Sequence, residues 1–553
     1  MSEPFRSPRA ARVRRAVIIG GGFAGVLAAA ACRAFVDEVT IVERDSLPKE
    51  PLPRKGLPQA RHLHALWSGG ADAVESLVPG VTGELLAAGA RRVPLPTGMV
   101  SLSPGGWYRR WPESHYLIAC SRDLLDWAIR DLVVHQPRVT VVEEAEPLGL
   151  TGDARRVDGV RIRLRDGSEQ LLTADLVVDA SGRSSLGPRW LRELGVGPVR
   201  ELAVDAGVAY ASRVYRAPAG SEDSPVFVIQ PDARLPGPGQ SASIMPIEDQ
   251  RWLVSLSGTR GGEPTNDEAT YLDFAKGVRH PLVGELLAHA EPLSGITVTR
   301  STVNRRRLYE RCRQLPEGFV AVGDAVAALN PIYGQGMSVA ALGAVALRDE
   351  LRRAGVTAPG LARRAQRAIA RPAQVAWALA TGQDIFYPGS RGRLPNAVDR
   401  LLSRYVNRLV TTSTGSYSMA KALTDVMTLQ SGFDRLIRPD VLIGAVRGPL
   451  RPRLSGPPLT RRELGFLDPD EHSEPHEHSE LHEHSDPNAP NNADGGGGGP
   501  REPAAVRHES GPADRSASGP GPRVELTGKR HGTAARAHSA PDRAAQQDPP
   551  DIT

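Results

Sequence analysis

The sequence is poor in cysteine, with only Cys32, Cys120 and Cys312 among its 553 residues. An odd number of cysteines spread this widely gives neither a disulfide framework nor the paired spacing of a zinc site. Cysteine usage of this kind is typical of a reducing compartment, so we expect a cytoplasmic protein. We also expect no metal site that serves catalysis.

The sequence also lacks a long uninterrupted apolar run. Residues 16–36 form its most apolar stretch, but glycines interrupt the start of that stretch and no cleavage-site pattern follows it. No other stretch reaches the roughly 18 apolar residues that a membrane-spanning helix needs. The sequence therefore predicts a soluble protein with no membrane span. A peripheral membrane contact through an apolar helical surface stays open.

A basic face with interleaved aromatic residues, which nucleic-acid binding would need, is missing. The net charge is +5, and residues of both signs are mixed along the chain. We therefore expect a small-molecule substrate and no nucleic-acid partner.

The end of the chain has an unusual composition. Residues 468–553 contain no Phe, Trp or Tyr and almost no Ile, Leu or Val. Such a segment cannot bury enough apolar surface to offset its ordering entropy, which predicts a disordered tail. Its His-rich tracts at 471–473, 476–479 and 482–485 could bind divalent metals weakly or be low-complexity sequence without a role. Residues 1–14 are basic and contain proline, so we expect a flexible arm there.

The N-terminal region contains a Gly-rich turn between a predicted strand and a predicted helix. Gly20, Gly22 and Gly25 form a G-x-G-x-x-G pattern directly after the apolar run 16–19. The first glycine of this pattern permits a tight turn, the second lets the backbone approach a pyrophosphate, and the third lets the helix pack on the sheet. Glu43 ends the next predicted strand, where a carboxylate can accept hydrogen bonds from a ribose. The pattern indicates a dinucleotide site, and the alternative is a purely structural turn.

A second strand delivers a carboxylate to a helix start far downstream. Asp324 follows the apolar run 319–322, and the Gly-rich segment 331–336 precedes a helix predicted for residues 337–353. An acid in this position can accept a hydrogen bond from the ribityl chain of a flavin. The helix N-terminus can hold the pyrimidine end of the flavin ring, where negative charge develops on reduction. The alternative for Asp324 is a structural helix cap.

These motifs, in this order and spacing, resemble the FAD-dependent monooxygenases with the aromatic-hydroxylase fold. The resemblance covers roughly residues 15–350 and includes the central segment Asp179-Ala180-Ser181-Gly182. It implies an α/β protein in which a Rossmann-like FAD-binding domain carries an inserted β-sheet substrate domain and is followed by a C-terminal helical region. The predicted ranges are 15–190 and 301–355 for the FAD-binding domain, 191–300 for the substrate domain and 356–467 for the helical region.

Two segments relate the chain to particular members of that group. Aromatic hydroxylases usually have Gly-x-Asp-Gly in the central segment, whereas residues 179–182 resemble the version in halogenases, geranylgeranyl-reductase-like enzymes and epoxidases. Residues 54–64 resemble a loop of bacterial olefin epoxidases of polyether antibiotic pathways. That resemblance implies FAD contacts from Gln59 and Arg61. The resemblance to the FAD-dependent monooxygenases implies a nucleotide contact from Arg122 at a helix start. The alternative for Arg122 is an arginine on the surface.

Together these arguments give one set of predicted cofactor contacts. They are Gly20, Gly22, Phe23, Ala24, Gly25, Glu43, Arg44, Gln59, Arg61, Arg122, Asp324, Pro331, Gly334, Gly336 and Met337. His62 and His64 have no third ligand nearby in the sequence, so a backbone-capping or flavin-adjacent role is favoured over a metal site. Candidates for an apolar substrate lining are Trp377, Phe386, Tyr387, Tyr405 and Met419, with ordinary core packing as the alternative.

The resemblance implies FAD as cofactor and O2 as co-substrate. Because the chain has one dinucleotide fingerprint, the electrons would come from transiently docked NADPH or from reduced flavin made by a separate flavin reductase. Reduced flavin would react with O2 to a C4a-(hydro)peroxide, so the cofactor carries the difficult chemistry and no catalytic residue is predicted. The expected function is insertion of one oxygen atom into an apolar substrate, favouring epoxidation of a polyketide or isoprenoid olefin in secondary metabolism.

Three other functions stay open. One is reduction of isoprenoid double bonds on the same scaffold. Another is a halogenase-like activity, although the Trp-x-Trp-x-Ile-Pro segment expected of a halogenase is missing from the sequence. The third is a non-enzymatic flavin-binding module whose tail recruits a partner.

Overall fold

The computed structural model describes residues 12–467. The predicted tail, 468–553, and residues 1–11 of the predicted arm lie outside this range. Within it, no helix combines the length and apolar character needed to cross a membrane.

The described residues form five sheets. Their strands are β1 (Arg15–Ile19), β2 (Glu38–Val42), β3 (Leu66–Trp67), β4 (Arg91–Leu95), β5 (Met99–Ser103), β6 (Gly106–Trp107), β7 (His115–Ala119), β8 (Val139–Val142), β9 (Glu146–Gly152), β10 (Val157–Arg163), β11 (Glu169–Thr173), β12 (Leu176–Asp179), β13 (Glu201–Asp205), β14 (Ala209–Arg216), β15 (Val226–Ile229), β16 (Gln240–Ile247), β17 (Arg251–Gly258), β18 (Thr297–Thr299), β19 (Asn304–Arg307), β20 (Phe319–Ala321), β21 (Ala327–Ala328) and β22 (Arg391–Gly392).

Helices cover the sheets and make up most of the C-terminal part. They are α1 (Phe23–Cys32), α2 (Ser68–Leu77), α3 (Val81–Ala87), α4 (Arg122–Val134), α5 (Gly187–Glu193), α6 (Glu268–Gly277), α7 (Leu282–Ala288), α8 (Gly336–Ala354), α9 (Leu361–Asp384), α10 (Ala397–Ser413), α11 (Tyr417–Met427), α12 (Pro439–Arg447) and α13 (Arg461–Leu464).

The first sheet is parallel and has the strand order β20-β12-β1-β2-β8. Its strands β1, β12 and β20 are short, apolar and almost fully buried, as expected for a parallel sheet covered on both faces. Ile19 pairs with Val42 and with Asp179, and Asp179 pairs with Ala321. The carboxyl ends of four strands therefore lie at one edge, where ligands bind in open α/β sheets. The predicted α/β, Rossmann-like fold class is confirmed.

The second large sheet has seven strands in the order β18-β14-β17-β16-β15-β5-β6. Its strands β14 to β18 lie within the range 191–300 predicted for the substrate domain. Strands β5 and β6, from residues 99–107, belong to this sheet because β5 pairs in parallel with β15. Such pairing between distant segments leaves no local pattern in the sequence.

The segment 169–179 forms two strands, β11 and β12, which belong to different sheets. β11 makes a hairpin with β10, and Gly167 in the turn has the positive φ of +84° that an Asp-Gly turn requires. β12 instead enters the parallel sheet beside β1.

Candidate functional site

The Gly-rich turn lies between β1 and α1 and is shaped by two close backbone approaches. Gly20 has φ +102°, and a Cβ on it would lie 2.8 Å from the carbonyl oxygen of Ala180. A Cβ on Gly25 would lie 1.8 Å from the carbonyl oxygen of Gly20. Both glycines are therefore required by the fold of the turn itself, as the motif predicts.

Gly22 differs from its neighbours because its surroundings are open. It has ordinary extended backbone angles, with φ −79°, and a Cβ on it would meet no atom within 4 Å. It precedes α1, which has neither a side-chain cap nor an acidic residue in its first turn. The N–H groups of Phe23 and Ala24 thus face outward at the positive end of a helix. This is the arrangement that binds a phosphate.

Glu43 lies beside this turn and is held by several groups. One carboxylate oxygen accepts a hydrogen bond from the Gly21 N–H at 2.7 Å, and the other accepts one from the Asp45 N–H at 3.0 Å. The Arg54 guanidinium lies 2.9 Å from Glu43 Oε2 and donates to the carbonyl of Gly21 at 3.2 Å. Sequence analysis does not predict Arg54, whose Nε is buried without a partner among the described residues. That nitrogen is free to donate a hydrogen bond to a ligand next to the predicted ribose site.

Arg122 is buried at the start of α4 and does not lie on the surface. Its guanidinium lies 5.2 Å from the centre of the Phe23 ring and donates to Asp126 Oδ1 at 2.7 Å. Arg122 therefore lies at the N-terminus of α1, where a positive charge adds to that of the helix end.

The central segment has a structural role. Asp179 is fully buried, and its carboxylate accepts hydrogen bonds from the Ser181 and Ser185 hydroxyls at 2.5 and 2.6 Å. These bonds fix the turn whose Ala180 carbonyl touches Gly20. Arg183 extends from the same turn and donates to the carbonyl of Leu329 at 2.8 Å. Arg183 thereby connects the turn beside Gly20 with the segment that follows Asp324.

The segment that carries Asp324 packs against the Gly-rich turn through small residues. Gly323, which follows β20, has φ +59°, and a Cβ on it would lie 2.6 Å from the Ala24 Cβ in α1. Asp324 is half-buried at this contact and makes no hydrogen bond or ion pair with the described residues. Burial raises the pKa of Asp324, while Arg183 and Arg122 act in the opposite direction. Its carboxylate is available for a ligand.

A short turn follows Asp324 and leads into α8. Pro331 begins a 3-10 turn that ends at Gly334, with φ +63°, against the Trp67 ring. Gln335 is buried and donates to the carbonyl of Met427 at 3.0 Å. Gly336 begins α8, and the Met337 side chain is buried in the core. The N-terminus of α8 thus opens on the same side as Asp324.

A buried polar network supports this turn from behind. Asp384, the last residue of α9, accepts hydrogen bonds from Asn304 Nδ2 at 2.7 Å, Asn330 Nδ2 at 3.0 Å and Tyr333 Oη at 2.9 Å. Asn330 Oδ1 in turn accepts a hydrogen bond from Tyr210 Oη at 2.7 Å. Sequence analysis does not predict this network, because its members come from four separate segments. It fixes the turn that would hold the flavin ring.

The other predicted contacts come from exposed positions. Arg44, Gln59 and Arg61 are exposed, and their side chains make no hydrogen bond or ion pair within the described part of the chain. Burial raises the pKa of Asp123, at the start of α4, while the nearby Arg61 acts in the opposite direction. A contact between these three residues and FAD stays a prediction.

The two histidines of the loop are tied to the protein. His62 is buried; its Nδ1 lies 2.8 Å from Ser212 Oγ, and its Nε2 has no partner among the described residues. Burial lowers the pKa of His62 to about 4, so its ring is neutral at pH 7. His64 Nδ1 lies 2.8 Å from the carbonyl oxygen of His62. Residues 12–467 contain no cluster of three metal-binding side chains.

The five candidate lining residues do not form one surface. Trp377 and Phe386 pack in the large core, Tyr387 packs beside Tyr210, and Tyr405 and Met419 pack among the C-terminal helices. Core packing, the alternative reading, accounts for Trp377, Tyr405 and Met419. Tyr387 belongs instead to an apolar cluster with Ile332 of the cofactor turn.

The site fits a flavin dinucleotide. It combines an open helix N-terminus at Gly22, a free carboxylate at Asp324 and buried arginines at positions 54 and 122. These groups suit a pyrophosphate flanked by ribose and ribityl hydroxyls. The site therefore defines the class of the protein as a flavin-dinucleotide-binding protein.

Comparison with known sequences gives the family. Residues 16–189 match the family model for FAD dependent oxidoreductases. Protein Rv3254 of Mycobacterium tuberculosis is 32% identical over 397 residues, covering 69% of this chain and 82% of that protein. The chain belongs to the FAD-dependent oxidoreductase family.

Solved structures share the fold at low sequence identity. The myxobacterial chondrochloren halogenase CndH has a TM-score of 0.52 and 18% identity, covering 76% of this chain and 97% of its own. The p-nitrophenol 4-monooxygenase PnpA of Pseudomonas putida has a TM-score of 0.51 and 15% identity, covering 76% of this chain and 98% of its own. PqsL of Pseudomonas aeruginosa, a probable FAD-dependent monooxygenase, has a TM-score of 0.51 and 19% identity, covering 67% of this chain and 96% of its own. This likeness establishes the fold alone.

Proposed function

We propose that the protein is an FAD-dependent monooxygenase that inserts one oxygen atom from O2 into an apolar organic substrate. The favoured reaction is epoxidation of an olefin of polyketide or isoprenoid type in secondary metabolism. The observation that carries the proposal is the cofactor site, in which an open helix end at Gly22 and the free Asp324 carboxylate lie at one sheet edge. Neighbours in fold that are named as monooxygenases support the reaction class.

FAD, when bound, would supply the redox chemistry with O2, and the chain would bind and orient it. The pyrophosphate would lie on the N–H groups of Phe23 and Ala24, with Arg122 adding positive charge. Glu43 and Asp324 would accept hydrogen bonds from the ribose and ribityl hydroxyls. The turn 331–336 would hold the flavin ring. NADPH, or a separate flavin reductase, would supply the electrons.

The substrate would lie between the seven-stranded sheet and the cofactor turn. An apolar cluster joins these parts through Val208 and Tyr210 near the start of β14, Ile332 of the turn and Tyr387 after α9. The side chains of this cluster carry no formal charge at neutral pH, which favours an apolar substrate. An apolar surface here would also exclude water from the reacting atoms. The His62 ring lies 6.1 Å from the Tyr210 ring, centre to centre, at the side of this cluster.

His62 is the polar group best placed to orient a substrate. The Leu63 N–H donates to Ser255 Oγ at 3.1 Å, and Ser255 Oγ lies 2.6 Å from Ser212 Oγ. If each hydroxyl donates to the next group, Ser212 donates to His62 Nδ1. His62 then carries its proton on Nε2, the atom without a protein partner. A neutral N–H donor of this kind could bind a substrate oxygen without bringing a charge into the site.

Product analysis tests the proposed reaction. Purified protein is incubated with FAD, candidate olefins, isotopically labelled O2 and NADPH, with and without a flavin reductase. We expect a product that gains one labelled oxygen atom, and the two electron-supply arms identify the donor. A product that gains two hydrogen atoms would instead identify a double-bond reductase. Failure to bind FAD would contradict the assignment of the site itself.

A further inference from the structure

Helix α10 carries an apolar stripe that continues beyond the core. Val398, Leu402, Tyr405 and Leu409 are spaced so that they share one helix face. Leu409 is buried against the C-terminal helices, with 1% of its surface exposed. Val398 and Leu402, on the same face toward the N-terminus, are 63% and 55% exposed. The apolar face therefore extends past the surface that covers it.

Neighbouring residues enlarge this exposed area. Leu401 is 65% exposed and adjoins the stripe, and Leu394, just before α10, is 77% exposed. Tyr405 Oη donates to the carbonyl of Leu436 at 2.5 Å, which places Ile437, also 65% exposed, within about one helical turn of the stripe. We call Leu394, Val398, Leu401, Leu402 and Ile437 the apolar patch. Exposed apolar patches of this kind mark interaction sites.

Arginines occupy the polar side of α10. Arg400, Arg404 and Arg408 are exposed and spaced four residues apart on α10. Arg400 and Arg404 form no ion pair with any described residue, and the acid of this helix, Asp399, already binds Arg393 at 2.6 Å. Helix α10 thus presents an apolar face, and its polar side carries unneutralised positive charge.

We propose that α10 docks this protein on the surface of an anionic lipid bilayer. Amphipathic helices with arginine on the polar face and large aliphatic residues on the other lie in the membrane interface. The arginine row would contact lipid phosphates, and the apolar patch would enter the region between headgroups and acyl chains. The proposal concerns a surface outside the cofactor site and does not depend on the reaction that the site performs.

The charge of α10 and the composition of the chain favour a lipid bilayer over two other structures that could cover the apolar patch. A second copy of this chain would bring two rows of arginines against one apolar surface, where like charges repel. The chain's own segment 468–553 has no aromatic residue and only five of the residues Ile, Leu and Val, so it cannot supply a matching apolar face. An anionic bilayer offers both negative charge and an apolar layer.

Vesicle sedimentation with the full-length protein tests the proposal. We expect the wild-type protein to bind vesicles of phosphatidylcholine mixed with phosphatidylglycerol and to stay in solution with phosphatidylcholine alone. The double variant R400Q/R404Q should lose affinity by roughly fivefold for each arginine removed. L401D/L402D should abolish binding, and added salt should weaken it in the wild type.

Matched variants separate this surface from general effects of charge and stability. R363Q/R367Q removes two exposed arginines at the same spacing on α9, and L171D/L186D changes two exposed leucines elsewhere. Both should bind anionic vesicles as the wild type does, and all variants should keep the wild-type melting temperature. The proposal is wrong if wild type ignores anionic vesicles, or if R363Q/R367Q weakens binding as much as R400Q/R404Q. A dimer in light scattering that L401D/L402D dissociates, without vesicle binding, would show that a second copy covers the surface.

Discussion

Arg54 Nη2 lies 2.9 Å from Glu43 Oε2, and both side chains are buried at the Gly-rich turn. The pair fixes Glu43 in the position where it would meet the ribose of a bound dinucleotide. It also means that the predicted ribose acceptor is neutralised by a cation from a Pro-rich loop that sequence analysis does not assign to the site.

Replacing Arg54 tests this pair. Arg54→Met leaves the Glu43 carboxylate buried without its cation, a change that typically costs about 3–5 kcal/mol. We expect much weaker FAD binding and a lower melting temperature, measured by flavin titration and thermal unfolding. Arg54→Lys should restore part of both. Arg155→Met, at an exposed position outside the predicted cofactor contacts, serves as the control for loss of an arginine. Normal FAD binding by Arg54→Met would refute the role given to the pair.

Two glycine variants should separate cofactor binding from folding. In Gly22→Val the new side chain enters open space with φ −79°, so the protein should fold normally. It should nevertheless fail to bind FAD, because the side chain occupies the place of the pyrophosphate. Flavin absorbance of the purified variant and the melting temperature of the FAD-free protein measure the two effects.

Gly25→Ala provides the contrasting case. Its Cβ would lie 1.8 Å from the carbonyl oxygen of Gly20, so the turn must shift. Overpacking of this kind typically costs about 1–3 kcal/mol. We therefore expect FAD-free Gly25→Ala to melt below FAD-free wild type, whereas Gly22→Val does not. Equal melting points for the two variants would contradict these assignments.

The network behind the cofactor turn gives a prediction about stability. Asp384→Ala removes the shared acceptor and leaves the Asn304, Asn330 and Tyr333 donors unpaired, at about 1–3 kcal/mol for each donor. We expect a lower free energy of unfolding in denaturant and faster release of FAD, because the turn 331–334 loses its support.

A variant at a half-exposed carboxylate serves as the control for Asp384→Ala. Asp131→Ala, at a half-exposed position on α4, should change neither the free energy of unfolding nor FAD release. If Asp384→Ala destabilises the protein but FAD release is unchanged, the network supports the fold and not the cofactor turn.

His62 predicts how stability depends on pH. Burial lowers its folded-state pKa from 6.5 to about 4, so between these values the unfolded chain binds a proton that the folded protein does not. Stability should therefore fall as the pH is lowered through this window, by ~3 kcal/mol from this residue alone. His62→Asn, which keeps a polar atom near Ser212, should flatten that part of the curve. His135→Asn, at an exposed position, should leave the curve unchanged.

The local motifs are the part of the site that sequence analysis predicts well. The Gly-rich turn, the strand ends at Glu43 and Asp324 and the start of α8 each depend on a few adjacent residues. Their order along a parallel sheet then brings them to one edge. Arg54 and Asp384 could not be found in this way, since each acts on residues that are distant in sequence. A charged residue in a loop or at a helix end gives no local sign that it will be buried.

Only the outline of the division between the parallel sheet and the seven-stranded sheet could be predicted. The family resemblance implied a sheet between 191 and 300, and the structure has β14 to β18 there. One side of that sheet is formed by β5 and the edge strand β6, and the short apolar pattern of β5 would suit either sheet. Only the parallel pairing with β15 decides its place.

That pairing also constrains how the protein can be made. On the ribosome, β5 emerges more than a hundred residues before its partner β15, and β1 emerges long before the edge strand β20 that completes its own sheet. Pairing between distant segments slows folding. A nascent chain that stops before residue 319 would contain the Gly-rich turn but lack the strand that carries Asp324. FAD would therefore bind late in synthesis. Until then, chaperones would have to protect the unpaired strand edges.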